Sequence, residues 1–108
     1  MIFIEKTDRN TDAIEAFRNY GRKRAGMQYE LTEQEEECVE IALSGISDAA
    51  EDAVFFVYMK QYKEKSMKRI SNRVRLFSNE KHYSERSVWR MLKKARNAYA
   101  VAKGGYEI

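Results

Sequence analysis

Arg86, Arg90, Lys93 and Asn97 recur at intervals of four, three and four residues, so a helix through them carries one outward row of hydrogen-bond donors. A guanidinium forks onto paired acceptors such as guanine O6 and N7 or phosphate oxygens, and an ammonium meets phosphate as a point charge. The chemistry open to such a row is recognition of a polyanion. The surrounding stretch, YSERSVWRMLKKAR (Tyr83 to Arg96), holds five cationic side chains against one carboxylate. On the same helical wheel Val88, Met91, Leu92, Ala95, Tyr99 and Ala102 fall on the opposite side and predict a buried stripe.

A helix anchored by that stripe can enter a DNA major groove. In a helix-turn-helix the first turns of the second helix supply the base contacts, which assigns Ser84, Arg86, Ser87 and Arg90 to base edges and Lys93 and Lys94 to phosphate. The preceding helix would lie across the sugar-phosphate backbone with Lys65, Lys68, Arg69 and Arg73, and Lys81 would join them from the connecting loop. Trp89 lies beside the basic row, placed either to cover a core edge or to meet sugar and base or a second subunit. Lysine and arginine are also ordinary surface residues, and the plainer account of the row is a solvated face.

Net charge over 108 residues is +3, but residues 28 to 59 carry −9 and residues 60 to 103 carry +11. A basic block of that density concentrates a polyanion near the surface, unless the two blocks neutralise one another within the fold. The acidic run Glu33, Glu35, Glu36, Glu37 and Glu40 has no histidine partner or second ligand cluster, so it reads as a solvated helix face rather than a catalytic or metal centre. Cys38 stands alone, which excludes an internal disulfide, and reads as a small buried apolar group. His82 reads as a solvated turn residue or a phosphate contact. No enzyme activity, metal or cofactor is expected.

The elements that must hold these residues are helical. Proline is absent, glycines number five, and strand alternation is limited to MIFI, predicting a single all-α domain of four to five helices over 1–108. A first helix runs from a cap at Asn10 or Thr11 to about Arg24 and stops at Gly26, with Gly21 weakening its last turn and Met1 to Ile4 packing as an apolar arm. Thr32 and Glu35 have capping-box spacing for a second helix that exits at Gly45. Ser47 or Asp48 caps a third, AAEDAVFFVYMKQY, whose near-continuous apolar character sends it through the core. A helix over roughly 65 to 77, a loop SNEKHY, and a last helix from Ser84 to about Ala102 complete the chain. Met27, Met59, Met67 and Met91 read as packing residues, and Tyr58, Tyr62 and Tyr99 as core residues with hydrated hydroxyls. Residues 1–46 thus form the N-terminal helices with the acidic segment, and 48–102 the central helix plus a variant helix-turn-helix.

The segment YSERSVWRMLKKARNAYA resembles the second helix of the helix-turn-helix in region four of bacterial sigma factors. It is more closely similar to small phage transcription regulators of the ArpU and RinA type. Tyr83, Ser84, Glu85, Arg86, Val88, Leu92 and Ala95 carry the likeness, with Ile70 of MKRI at the isoleucine position, and it covers roughly residues 48 to 100. The resemblance implies a sequence-specific DNA-binding regulator of phage or prophage genes, with double-stranded DNA as partner and RNA polymerase or a second copy as a supplement. The alternatives are a protein interaction module docking a basic partner on its acidic segment, or a DNA packaging or replication accessory. No membrane span or secretory leader is apparent, so a cytoplasmic location in an infected or lysogenic bacterium is expected.

Overall fold

A computed structural model describes the backbone of residues 2–106 and the side chains of residues 11–105. Helix α1 spans Ile2–Arg24, α2 Glu33–Ser44, α3 Asp48–Val54, α4 Ile70–Lys81 and α5 Glu85–Tyr106; no strand occurs among the described residues. A π-helical turn, Phe55–Met59, extends α3, and a 3₁₀ turn, Lys65–Lys68, precedes α4. The side chains of the expected N-terminal arm lie outside the described residues.

Short-range signals set most of the helix ends. Thr32 Oγ1 accepts from the Glu35 backbone N–H and the Glu35 carboxylate accepts from Thr32 N–H, both at 3.0 Å, closing the box that starts α2. Ser47 caps α3 by accepting from Ala50 N–H at 3.2 Å. After α1, Gly26 adopts φ 75°, and the N–H groups of Met27 and Gly26 bond back to the carbonyls of Arg22 and Lys23 at 2.9 and 3.1 Å. That double bond pattern needs a left-handed residue, which glycine supplies without steric penalty.

Two boundaries ahead of α4 differ from expectation. α1 does not begin at Asn10 or Thr11 but runs through them, since a cap side chain contributes only about 1 kcal/mol and no glycine or proline there stops propagation. The third helix does not continue to Tyr62: Lys60 is extended at φ −66°, ψ 138°, after its N–H has bonded the Phe55 carbonyl at 2.7 Å in the five-residue π pattern.

The π turn has a packing consequence. The wider turn lets three consecutive side chains, Val57, Tyr58 and Met59, all reach the interior, while Phe55, expected in the core, is left half exposed. Where the turn ends, the Met59 backbone lies directly on Gly21 of α1, so close that a Cβ at Gly21 would stand 2.7 Å from Met59 Cα. Gly21 is therefore a contact point rather than a weakness in the last turn.

All five helices feed one core. Ala13, Ala16 and Phe17 from α1 meet Cys38, Val39 and Ala42 from α2, Ala53, Val54, Val57 and Tyr58 from the α3 segment, Val74 and Phe77 from α4, and Val88, Leu92, Ala95 and Tyr99 from α5. Phe17 stacks on Tyr58 at 6.0 Å and tilts against Tyr99 at 5.9 Å. The tyrosine hydroxyls are not hydrated as expected: Tyr58 Oη accepts from Arg96 at 2.9 Å, and Tyr99 Oη is buried without a hydrogen-bond partner among the described residues. Burial first, then the nearby Glu35, Cys38 and Asp12, push the Tyr99 phenol well above its usual range. Met27, expected to pack, is half exposed in the α1–α2 connection.

Candidate nucleic-acid interface

The connection between α4 and α5 decides how the basic row is presented. The loop expected at residues 78 to 83 is largely helix. α4 starts at Ile70 and ends at Lys81, leaving only His82, Tyr83 and Ser84 between the two helices. The reason is Ser78, which is buried at the α4 end rather than lying in solvent. Its carbonyl accepts from the N–H groups of His82 and Tyr83, and its hydroxyl donates to the Tyr83 carbonyl. The Tyr83 ring packs on Phe77 at 6.2 Å, the apolar contact that accompanies this type of helix end.

The turn requires one left-handed residue, and His82 holds that position at φ 61°, ψ 32°. An L side chain there costs on the order of 1 kcal/mol, which glycine would relieve in part while adding unfolded-chain entropy. His82→Gly should therefore raise stability by roughly 0.5 kcal/mol and His82→Val lower it by about 1 kcal/mol, read from urea midpoints. Equal midpoints for the two variants would show that the turn does not hold this conformation in solution.

Ser84 starts α5. Its hydroxyl accepts from Ser87 N–H at 3.1 Å and donates to Ser87 Oγ at 2.9 Å. Beyond it Val88, Leu92, Ala95 and Tyr99 are at most 1% exposed, and this buried stripe turns the other side of α5 to solvent. Arg86, Arg90, Lys93 and Lys94 are exposed, Ser87 is half-buried, and Trp89 is 40% exposed beside the row. Neither Arg86 nor Arg90 makes an ion pair or hydrogen bond with a described residue.

The cations assigned to the preceding helix divide. Lys65 and Lys68 are exposed in the 3₁₀ turn, Arg69 is exposed at the residue before α4, and Lys81 is exposed at its last residue. Arg73 is half-buried and bonded to the protein instead of standing free on the surface. Its Nε donates to the Met67 carbonyl, its guanidinium donates to the Val57 carbonyl at 2.7 Å, and it lies 4.7 Å from the Tyr62 ring centre. It ties the 3₁₀ turn and the end of the π turn to α4. The Tyr62 hydroxyl in turn donates to the Phe56 carbonyl at 2.7 Å, and burial pushes this phenol up to about 12. Helical spacing sets Arg73 beside the row of Ile70, Val74 and Phe77; only the fold brings the Met67 and Val57 carbonyls within its reach. Arg75 is exposed on α4, and nothing but its charge marks it in the sequence.

The two charge blocks do not neutralise one another. Among the described residues the ion pairs join Arg18 to Glu15, Lys23 to Glu36 and Lys103 to Asp12, and none links α2 to α4 or α5. α2 and α5 pack through their apolar stripes. Glu33, Glu37 and Glu40 are exposed on α2, with Glu40 accepting from the Tyr20 hydroxyl of α1 at 3.4 Å. No described helix is long and apolar enough to cross a membrane. Comparison of the chain with protein-family models, curated proteins and solved structures finds no match.

Proposed function

We propose that this protein binds duplex DNA through a helix-turn-helix formed by α4, the turn His82 to Ser84, and α5. The observation that carries the reading is the pairing of a tight, internally pinned turn with an unpaired cationic row, Arg86, Arg90 and Lys93, on the solvent side of a helix whose other side is buried at Val88, Leu92, Ala95 and Tyr99 and partly buried at Met91 and Ala102. A helix held in this way projects a rigid donor surface from its first turns, where a second helix of this motif meets base edges. Lys65, Lys68, Arg69, Lys81 and Lys94 flank it as phosphate contacts, and the outward acids of α2 orient the molecule with its basic face toward a polyanion. The likeness of residues 48 to 100 to ArpU and RinA type regulators supports transcriptional control of phage or prophage genes as the biological role. RNA polymerase or a second copy would add contact area that one short module lacks.

The reading predicts salt-sensitive affinity. Six exposed cations assigned to phosphate, with Lys93 among them, give a slope of log affinity against log salt near −5 if all engage. Replacing Lys65 and Lys68 by alanine should reduce that slope by about 2 and weaken every duplex alike. Trp89 is the single tryptophan and sits beside the row, so its emission should report the titration directly. Duplex titrations that leave both emission and anisotropy unchanged at low salt would refute it. A tight basic protein partner on the α2 acids would then be the better account.

A further inference from the structure

We infer that α5 selects guanines: the preferred duplex carries two guanines on one strand, adjacent or one base pair apart, read through the major groove by Arg86 and Arg90. This preference rests on α5 being the reading helix proposed above. Arg86 and Arg90 are exposed, lack partners among the described residues, and lie one helical turn apart on the same row. Four residues of α-helix rise about 6 Å, close to two base-pair steps at ~3.4 Å each.

The donor and acceptor inventory of the row sets the base. Arginine donates and never accepts, and Lys93, next along the row, is likewise a donor only. Guanine alone offers two adjacent major-groove acceptors, O6 and N7, that match a forked guanidinium. Adenine places an amino donor where guanine has O6, and cytosine presents its N4 amino group, so both set donor against donor.

The side chains that could accept from those amino groups are out of position. Glu85 lies about 140° round the helix from Arg90. Asn97 shares the row but stands about 10 Å beyond Arg90, past the turns that enter the groove. Ser84 is occupied in capping α5 and in its bond to Ser87 Oγ. Ser87 keeps one open hydrogen and one open lone pair and discriminates little.

The test selects bound molecules from duplexes with a randomised core, then repeats the titration with the selected guanines replaced. Enrichment of paired guanines is expected. Replacement by 7-deazaguanine, which lacks the N7 acceptor, should lower affinity on the order of tenfold or more. Replacement by inosine keeps O6 and N7 and should leave affinity within about twofold, since only a minor-groove amino group is lost. Arg90→Ala should relax the requirement at one of the two guanines and keep the helical ellipticity of the parent. Salt-sensitive binding that enriches no guanine pair, or that is indifferent to 7-deazaguanine, overturns the guanine assignment and leaves DNA binding standing. Absence of any salt-sensitive binding to the pool overturns both.

Discussion

Gly21→Ala should unfold the protein or lower its stability by about 3 kcal/mol, the upper end for an overpacked core site, because the neighbour here cannot rotate away. In the middle of an exposed helix the same change would stabilise by roughly 0.5 to 1 kcal/mol, because alanine is the better helix former. The sign reverses here because the new methyl would meet the backbone of Met59, with Cα at 2.7 Å and the carbonyl oxygen closer still. Backbone has no rotamer to yield. Either α1 must slide away from the π turn, opening the stack of Phe17 on Tyr58, or the π turn must unwind. Urea unfolding followed by ellipticity reads the loss. A variant as stable as the parent would mean that α1 does not pack on the π turn as described.

Arg73→Ala should cost about 3 kcal/mol, since it removes two charged hydrogen bonds and strands the carbonyls of Met67 and Val57. The cation over the Tyr62 ring adds to that loss. Arg73→Lys should recover only part of the stability, because an ammonium cannot fork to two carbonyls on different elements. This behaviour separates Arg73 from its neighbours Lys65 and Lys68, whose alanine variants should keep the parent's unfolding midpoint while losing affinity for every duplex. The decisive comparison is stability and salt slope measured on the same variants. If Arg73→Ala folds as the parent does and reduces the salt slope by about 1, the residue contacts phosphate and the clasp is not what holds the 3₁₀ turn.

The two variants test different links between sequence and site. Gly21 holds α1 against the segment that carries Tyr58, and Tyr58 receives Arg96 from the inner flank of α5. Arg73 fixes the start of α4, whose far end carries Ser78 and the turn. Neither residue lies in the basic row, so duplex affinity should fall in proportion to unfolding rather than independently of it.

Some of this was legible in the chain itself. The helical class, the capping box at Thr32 and Glu35, the Ser47 and Ser84 caps, the Gly26 stop and the buried stripe of α5 follow from interactions spanning at most a few residues. Such signals are complete within a short window: a hydroxyl reaches a backbone N–H three residues on, and a stripe repeats every three or four. The tertiary structure alone decided the rest. The π turn, the contact of Gly21 with Met59, the inward Ser78 that shortens the connection to three residues, and the capture of Arg73 all depend on which carbonyl or ring arrives from a distant segment. Arg73 and Arg75 are the same residue type two positions apart. One became a clasp and the other stayed in solvent, because only one faces the Val57 carbonyl when α4 docks.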